Sequence, residues 1–150
     1  MRLSDLLTEE TITISLNRRD KQGVIEELLD LAMKTGKIKD KAVALRALID
    51  RENLMSTGLE KGVAVPHAKS KAAEDLALAL GISKEGIDFQ SADGQPSHFF
   101  FFLLAPEAAA GPNVKVLAQI ARLTSEVGFR EALKEASSPV EVLEIIKGAE

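Results

Sequence analysis

Between Thr11 and Leu16 apolar and polar positions alternate, with Ile12, Ile14 and Leu16 set against Thr11, Thr13 and Ser15. That period of two predicts a strand with one buried face. From Asp20 to about Thr35 the period becomes helical. Val24, Ile25, Leu28, Leu29, Leu31 and Ala32 share one side, and Gly36 closes the segment. A second helix is expected from about Asp40 to Glu52, with Val43, Leu45, Leu48 and Ile49 inward. Three extended segments follow, at Gly62–Val65, Leu76–Ile82 and Phe99–Leu104. The middle one places large residues on one face and small ones on the other, so a helix can approach closely on the small side. The last is continuously apolar and suits a strand buried on both faces, which also accounts for its four consecutive phenylalanines as core. Asp93-Gly94 marks a turn before it.

The remainder reads as helix. Val114, Leu117, Ile120 and Ala121 form one stripe, Phe129, Ala132 and Leu133 a second, and Val140, Leu143 and Ile146 a third. Ser138 followed by Pro139 suits a cap and first-turn pair at the start of the last helix. The order of strand, two helices, several strands, then helices predicts an α/β sandwich: a mixed sheet of about five strands with helices on both faces. Residues 1–150 are expected to form one domain. Strand connectivity is left open by this pattern.

Composition narrows the function classes. The net charge is −4 with signs interspersed, and there is no Tyr or Trp to stack bases, so no nucleic-acid partner is expected. No apolar run approaches the roughly 18 residues needed to span a bilayer, and the opening residues carry an early acid and no long apolar stretch. A cytoplasmic protein without a signal peptide is expected. The absence of Cys excludes disulfides, thiol catalysis and cysteine-based metal sites. His67 and His98 are the two histidines, and their spacing matches no metal motif. There is no Gly-x-Ser-x-Gly elbow and no P-loop, and Gly58 and Gly62 are too sparsely spaced for a nucleotide-binding loop, so a bound-nucleotide enzyme is not expected.

His67 stands out through its setting. Val63-Ala64-Val65 reads as a short strand, Pro66 as its stop, and the histidine as a strand-end residue where the chain leaves the sheet. Strand ends are where open α/β sheets bind ligands. Imidazole titrates near about 6.5, so at neutral pH one ring nitrogen keeps a lone pair that can attack phosphorus. The same position also fits a histidine that only bonds a carbonyl. The preceding segment tips the balance, because Arg51 can supply a cation and Ser56, Thr57 and the Gly58 amide neutral donors for phosphoryl oxygens. His98, at the start of the Phe-rich strand, is expected to be structural or exposed.

Arg51-Glu52-x-x-x-Ser56-Thr57-Gly58-Leu59, followed by Gly62-Val63-Ala64-Val65-Pro66-His67-Ala68, resembles the phosphohistidine signature of enzyme IIA of the fructose/mannitol type. That family serves the phosphoenolpyruvate-dependent sugar phosphotransferase system and includes the nitrogen-regulatory IIA proteins. The resemblance runs from Leu3-Ser4-Asp5-Leu6-Leu7 through Asp93-Gly94-Gln95-Pro96 and Ala105-Pro106-Glu107 to Asn113-Val114-Lys115-Val116-Leu117-Ala118. It implies a mannitol-type IIA fold and a phosphoryl group received on His67 from HPr or an HPr-like carrier. The group would pass to a IIB component, usually on a cysteine, with Arg51 compensating charge and no cofactor, metal or nucleotide involved. Membrane association would then be indirect, through partners. The chain departs from the family's pattern at two places. Glu60 stands where Gly is usual, and Asn113 where many members have a second histidine, a position at which Asn113 can equally cap a helix. Three functions stay open: a carrier in sugar uptake, a nitrogen-type regulator whose phosphorylation controls partner binding, and a IIA-like scaffold that has lost transfer.

Overall fold

The computed structural model describes residues 2–109 and 111–150. In chain order it contains α1 (Leu3–Leu6), a 3-10 turn (Glu9–Thr11), β1 (Ile12–Thr13), α2 (Lys21–Met33), α3 (Lys41–Leu54), β2 (Val63–Ala64), β3 (His67–Ser70), β4 (Ala77–Ile87), β5 (Ser97–Pro106), α4 (Gly111–Thr124), α5 (Val127–Glu135) and α6 (Pro139–Ala149). The five strands make one mixed sheet in the order β1-β4-β5-β2, with β3 also on β5. β4 and β5 run antiparallel, while β1 lies parallel to β4 and both β2 and β3 lie parallel to β5.

Strand alternation divides the core between two faces. Leu78, Leu80, Ile82, Phe99, Phe101 and Leu103 pack with residues of α1, α4, α5 and α6. Ala77, Ala79, Phe100, Phe102 and Leu104 pack with α2 and α3. Both faces of β5 are therefore buried, as its unbroken apolar run predicts. Phe100, Phe101 and Phe102 are fully buried, and burial of each stabilises the fold by about 1.5–3 kcal/mol. The small face of β4 turns to α2 as expected. A Cβ on Gly81 would lie 2.8 Å from Leu16 Cδ2 and 2.9 Å from Leu28 Cδ2, so a larger residue there would push those side chains aside. Helix ends also follow their signals. Gly36 takes a left-handed φ of 73° after α2, and the Ser138 hydroxyl accepts the Glu141 amide at the start of α6.

Several elements differ from expectation. β1 stops at Thr13 because the Ser15 amide turns to the Thr13 hydroxyl (3.3 Å), a local bond that competes with the ladder. The buried stripe of α3 is Ala44, Leu48 and Glu52 rather than one including Val43, which is exposed. In α4 the inward stripe is Val116, Ile120 and Leu123, with Val114 outside; in α6 Ile146 is buried as expected, while Val142 takes the inward place expected of Val140, which is exposed. Most consequentially, the chain does not leave the sheet at Pro66. Pro66 lacks an amide hydrogen, yet its carbonyl still accepts from the Leu103 amide at 3.1 Å. Pairing with β5 then resumes at once, with His67 opposite Leu103.

Candidate functional site

His67 is the first residue of β3, at the start of a strand and not at the end of one where the chain leaves the sheet. Its Nδ1 lies 2.7 Å from the Val65 carbonyl. A carbonyl only accepts, so Nδ1 carries a proton, and in the neutral ring Nε2 keeps the lone pair. Nε2 has no hydrogen-bond partner among the described residues. The ring is half-buried and lines a cleft of about 280 Å³. One wall is the end of α3, carrying Arg51, and the turn from it to β2, carrying Met55, Ser56, Thr57 and Leu59; the other is α4, through Leu117, Ile120, Ala121 and Thr124. Apolar walls on both sides lower the local dielectric, which strengthens the field of any charge inside.

Arg51 sits in the last turn of α3 and is the charged side chain, besides the imidazole, that lines this cleft among the described residues. Its Nη1 donates to the Met55 carbonyl at 2.8 Å, which closes the helix end and leaves the rest of the guanidinium for an anion. The turn that follows is tied to β2: the Val65 amide donates to the Thr57 carbonyl (3.0 Å) and the Leu59 amide to the Val63 carbonyl (2.8 Å). His67 and Arg51 thus meet at one cleft because a short return of chain brings the end of α3 alongside β2.

The neutral donors expected from Ser56, Thr57 and Gly58 are already committed within that return. The Ser56 hydroxyl donates to the Phe89 carbonyl (2.8 Å) and accepts the Gly58 amide (3.1 Å). Thr57 is buried and gives both its amide (2.7 Å) and its hydroxyl (2.6 Å) to Glu52. These groups hold the wall instead of presenting free donors, a correction to the sequence reading. Gly58 is glycine for room, since a Cβ there would lie 2.8 Å from the Phe89 carbonyl oxygen.

Asn113 lies inside α4, which begins at Gly111, so it is not the helix cap. It is 8% exposed, and its Oδ1 is buried without a partner. One turn later Leu117 lines the cleft, which places Asn113 on the same side of α4. Glu60 is exposed and lines an adjoining depression with Lys61 and Ser125, which shares Leu59, Ala121 and Thr124 with the His67 cleft, although Glu60 itself does not line that cleft. His98 is elsewhere, with its Nδ1 2.8 Å from the Ser83 carbonyl and its ring against Phe99. Among the described residues no group of three or more His, Asp or Glu is arranged to hold a metal ion.

Two residues to which the sequence reading assigned no role, Lys21 and Glu52, organise the wall. Glu52 is buried, and Lys21 reaches it from the first turn of α2 at 2.7 Å. The spacing of Ala44, Leu48 and Glu52 at every fourth position was the available signal, because it puts a carboxylate into an otherwise buried stripe.

A family model described as "Phosphoenolpyruvate-dependent sugar phosphotransferase system, EIIA 2" matches residues 5–149. The "PTS system fructose-specific EIIABC component" of Bacillus subtilis (strain 168) is 36% identical over 146 residues, covering 97% of this chain but 23% of that longer protein. The "PTS system fructose-specific EIIA component" of Haloferax volcanii is 35% identical over 144 residues, covering 96% of this chain and 94% of the relative. The crystal structure of the nitrogen regulatory protein IIA-Ntr from Neisseria meningitidis superimposes with a TM-score of 0.88 at 31% identity, covering 96% of this chain and 98% of that one.

Proposed function

The chain belongs to the EIIA 2 family of the phosphoenolpyruvate-dependent sugar phosphotransferase system, and on that premise we propose that His67 Nε2 carries the phosphoryl group. The observation that carries this reading is the Nδ1 bond to Val65, which leaves the Nε2 lone pair without a partner in a residue lining a cleft shared with Arg51. The donor is an HPr-like phosphohistidine protein. The His67 Nε2 lone pair attacks phosphorus, an N–P bond forms, and the donor's own N–P bond breaks with its electron pair returning to the donor imidazole. In the second transfer a nucleophile on a IIB component, a cysteine thiolate, attacks the same phosphorus and His67 leaves as neutral imidazole. Neither step consumes a metal or nucleotide.

In-line transfer spreads charge over three phosphoryl oxygens, and Arg51 compensates it from the cleft wall. Ser56, Thr57 and Gly58 support the phosphate indirectly by holding that wall. Asn113 brings an amide to the same side of α4, where its Nδ2 can donate to phosphoryl oxygen. Partners dock on the apolar rim, where Leu54 is 83% and Met55 73% exposed, with Leu59 beside them. No described helix is long and apolar enough to cross a membrane. The proposed place of action is the cytoplasm, with membrane contact made through a IIB-bearing partner. All residues so assigned fall within one domain spanning the chain.

Incubation with phosphoenolpyruvate, enzyme I and HPr should place acid-labile phosphate on the protein, and a protein that takes no label from any HPr-like donor overturns the reading. A regulatory role without sugar transfer is favoured by one observation, the likeness to the Neisseria nitrogen regulatory protein along nearly the whole chain. Capture of partners with and without phosphorylation separates the two. An associated IIB that drains the phosphate supports uptake, whereas a partner whose binding changes with phosphorylation and accepts none supports regulation.

A further inference from the structure

A carboxylate in the buried stripe of α3 needs an account, because a well-packed apolar side chain there would avoid the cost of desolvating a charge. Glu52 is held by three donors: the Thr57 amide at 2.7 Å, the Thr57 hydroxyl at 2.6 Å and Lys21 Nζ at 2.7 Å. Lys21 Nζ also donates to Ser56 Oγ (2.9 Å) and Gln90 Oε1 (3.1 Å), and lies 4.7 Å from the centroid of the Phe89 ring. Four stretches of chain therefore converge on one ion pair: the start of α2, the end of α3, the return to β2, and the connection between β4 and β5.

We propose that Lys21 and Glu52 are positioning residues for Arg51, holding its guanidinium in register with His67 across the cleft. The connection can be traced bond by bond. The strands carrying His67 are fixed to β5 and to Thr57, Thr57 is fixed to Glu52, and Glu52 is the covalent neighbour of Arg51. Lys21 neutralises the carboxylate on which that path depends and draws Ser56 to the same point. His67 has its own support, through the β5 ladder and the Val65 carbonyl. Loosening the clamp therefore displaces the cation and leaves the nucleophile where it is.

This inference rests on His67 as the phosphoryl acceptor, and its test keeps the two separable. The maximal rate of transfer from phosphorylated HPr is measured for Glu52→Gln, Lys21→Met and Lys21→Arg, with NMR of the Arg51 Nε–H and the His67 ring in the same samples. Glu52→Gln and Lys21→Met should lower the maximal rate about tenfold or more, the scale expected of a displacement near 1 Å. The Arg51 signal should shift while the His67 ring signals stay in place. Lys21→Arg, which keeps the charge, should retain at least half the rate. Should Lys21→Met fail to fold, Thr57→Val removes one donor to Glu52 and is expected to shift the Arg51 signal in the same direction. Wild-type maximal rates in the folded variants, an unmoved Arg51 signal, or a Lys21→Arg rate as low as that of Lys21→Met would each overturn the proposal. If the unsubstituted protein takes no label, the carrier reading fails, and the Arg51 signal alone then decides the positioning.

Discussion

His67 and His98 have nearly the same immediate bonding and opposite surroundings. Each is half-buried, and each has Nδ1 on a backbone carbonyl, Val65 at 2.7 Å and Ser83 at 2.8 Å. When neutral, each ring is thereby held in the tautomer that has its proton on Nδ1. His98, however, is wedged among Phe99, Gly62 and Gly86: a Cβ on Gly86 would come within 2.9 Å of its Cε1, and one on Gly62 within 3.2 Å of its Cδ2. His67 instead opens onto a cleft with a cation on its wall. Fixing the tautomer is thus a common structural device. Space beside the ring, and a charge on the wall of that space, are what distinguish His67 from His98.

The largest effect should come from replacing each of the two in turn. His67→Ala is expected to reduce acid-labile labelling to background, while His98→Asn labels like the unsubstituted chain. Label retained in the first, or found on His98, breaks the comparison. Arg51→Met should come next. Removing a charge aimed at the transition state costs on the order of a hundredfold in the maximal transfer rate. Its single bond to the Met55 carbonyl contributes about 1 kcal/mol to folding, so thermal unfolding should move by only a few degrees. An unchanged rate in a folded Arg51→Met protein would reduce the difference between the two histidines to space alone.

Side-chain periodicity made the two-faced β5, the small face of β4 and the ends of α2 and α6 legible, because each depends on which side chains are buried. It misread Pro66 for a reason that lies in the backbone. A missing amide hydrogen reads as the end of a strand, yet the free carbonyl sufficed to carry pairing across to β3. His67 and Arg51 were visible as residue types in a suggestive order, and the fold brings both to one cleft. Ser56, Thr57 and Gly58 were read as donors to a ligand because composition does not reveal that a hydroxyl already has a partner. That partner was Glu52 for Thr57 and Phe89 for Ser56. The Lys21–Glu52 pair was hidden by sequence distance and by the habit of reading charged residues as surface.

The smallest effects belong to the His98 side and test whether it is structure alone. Gly86 has φ +88°, and its Cβ would meet both Pro96 Cβ at 2.8 Å and the His98 ring. Gly86→Ala should therefore destabilise by about 1–3 kcal/mol through backbone strain and displacement of that ring. His98→Asn keeps a side chain able to donate to the Ser83 carbonyl and gives up only ring packing, so about 1 kcal/mol or less is expected. For a chain of this size that corresponds to a fall of about 2–4 °C in the unfolding midpoint. In neither variant should the maximal rate of phosphoryl transfer change by more than about twofold, because the strain enters at the β4–β5 bulge and not at the end of α3 that carries Arg51. A His98→Asn protein that unfolds normally but transfers tenfold more slowly would mean that the β4–β5 end of the sheet is coupled to the cleft. Gln90, which lies between Gly86 and His98 and accepts from Lys21, would then be the route to examine.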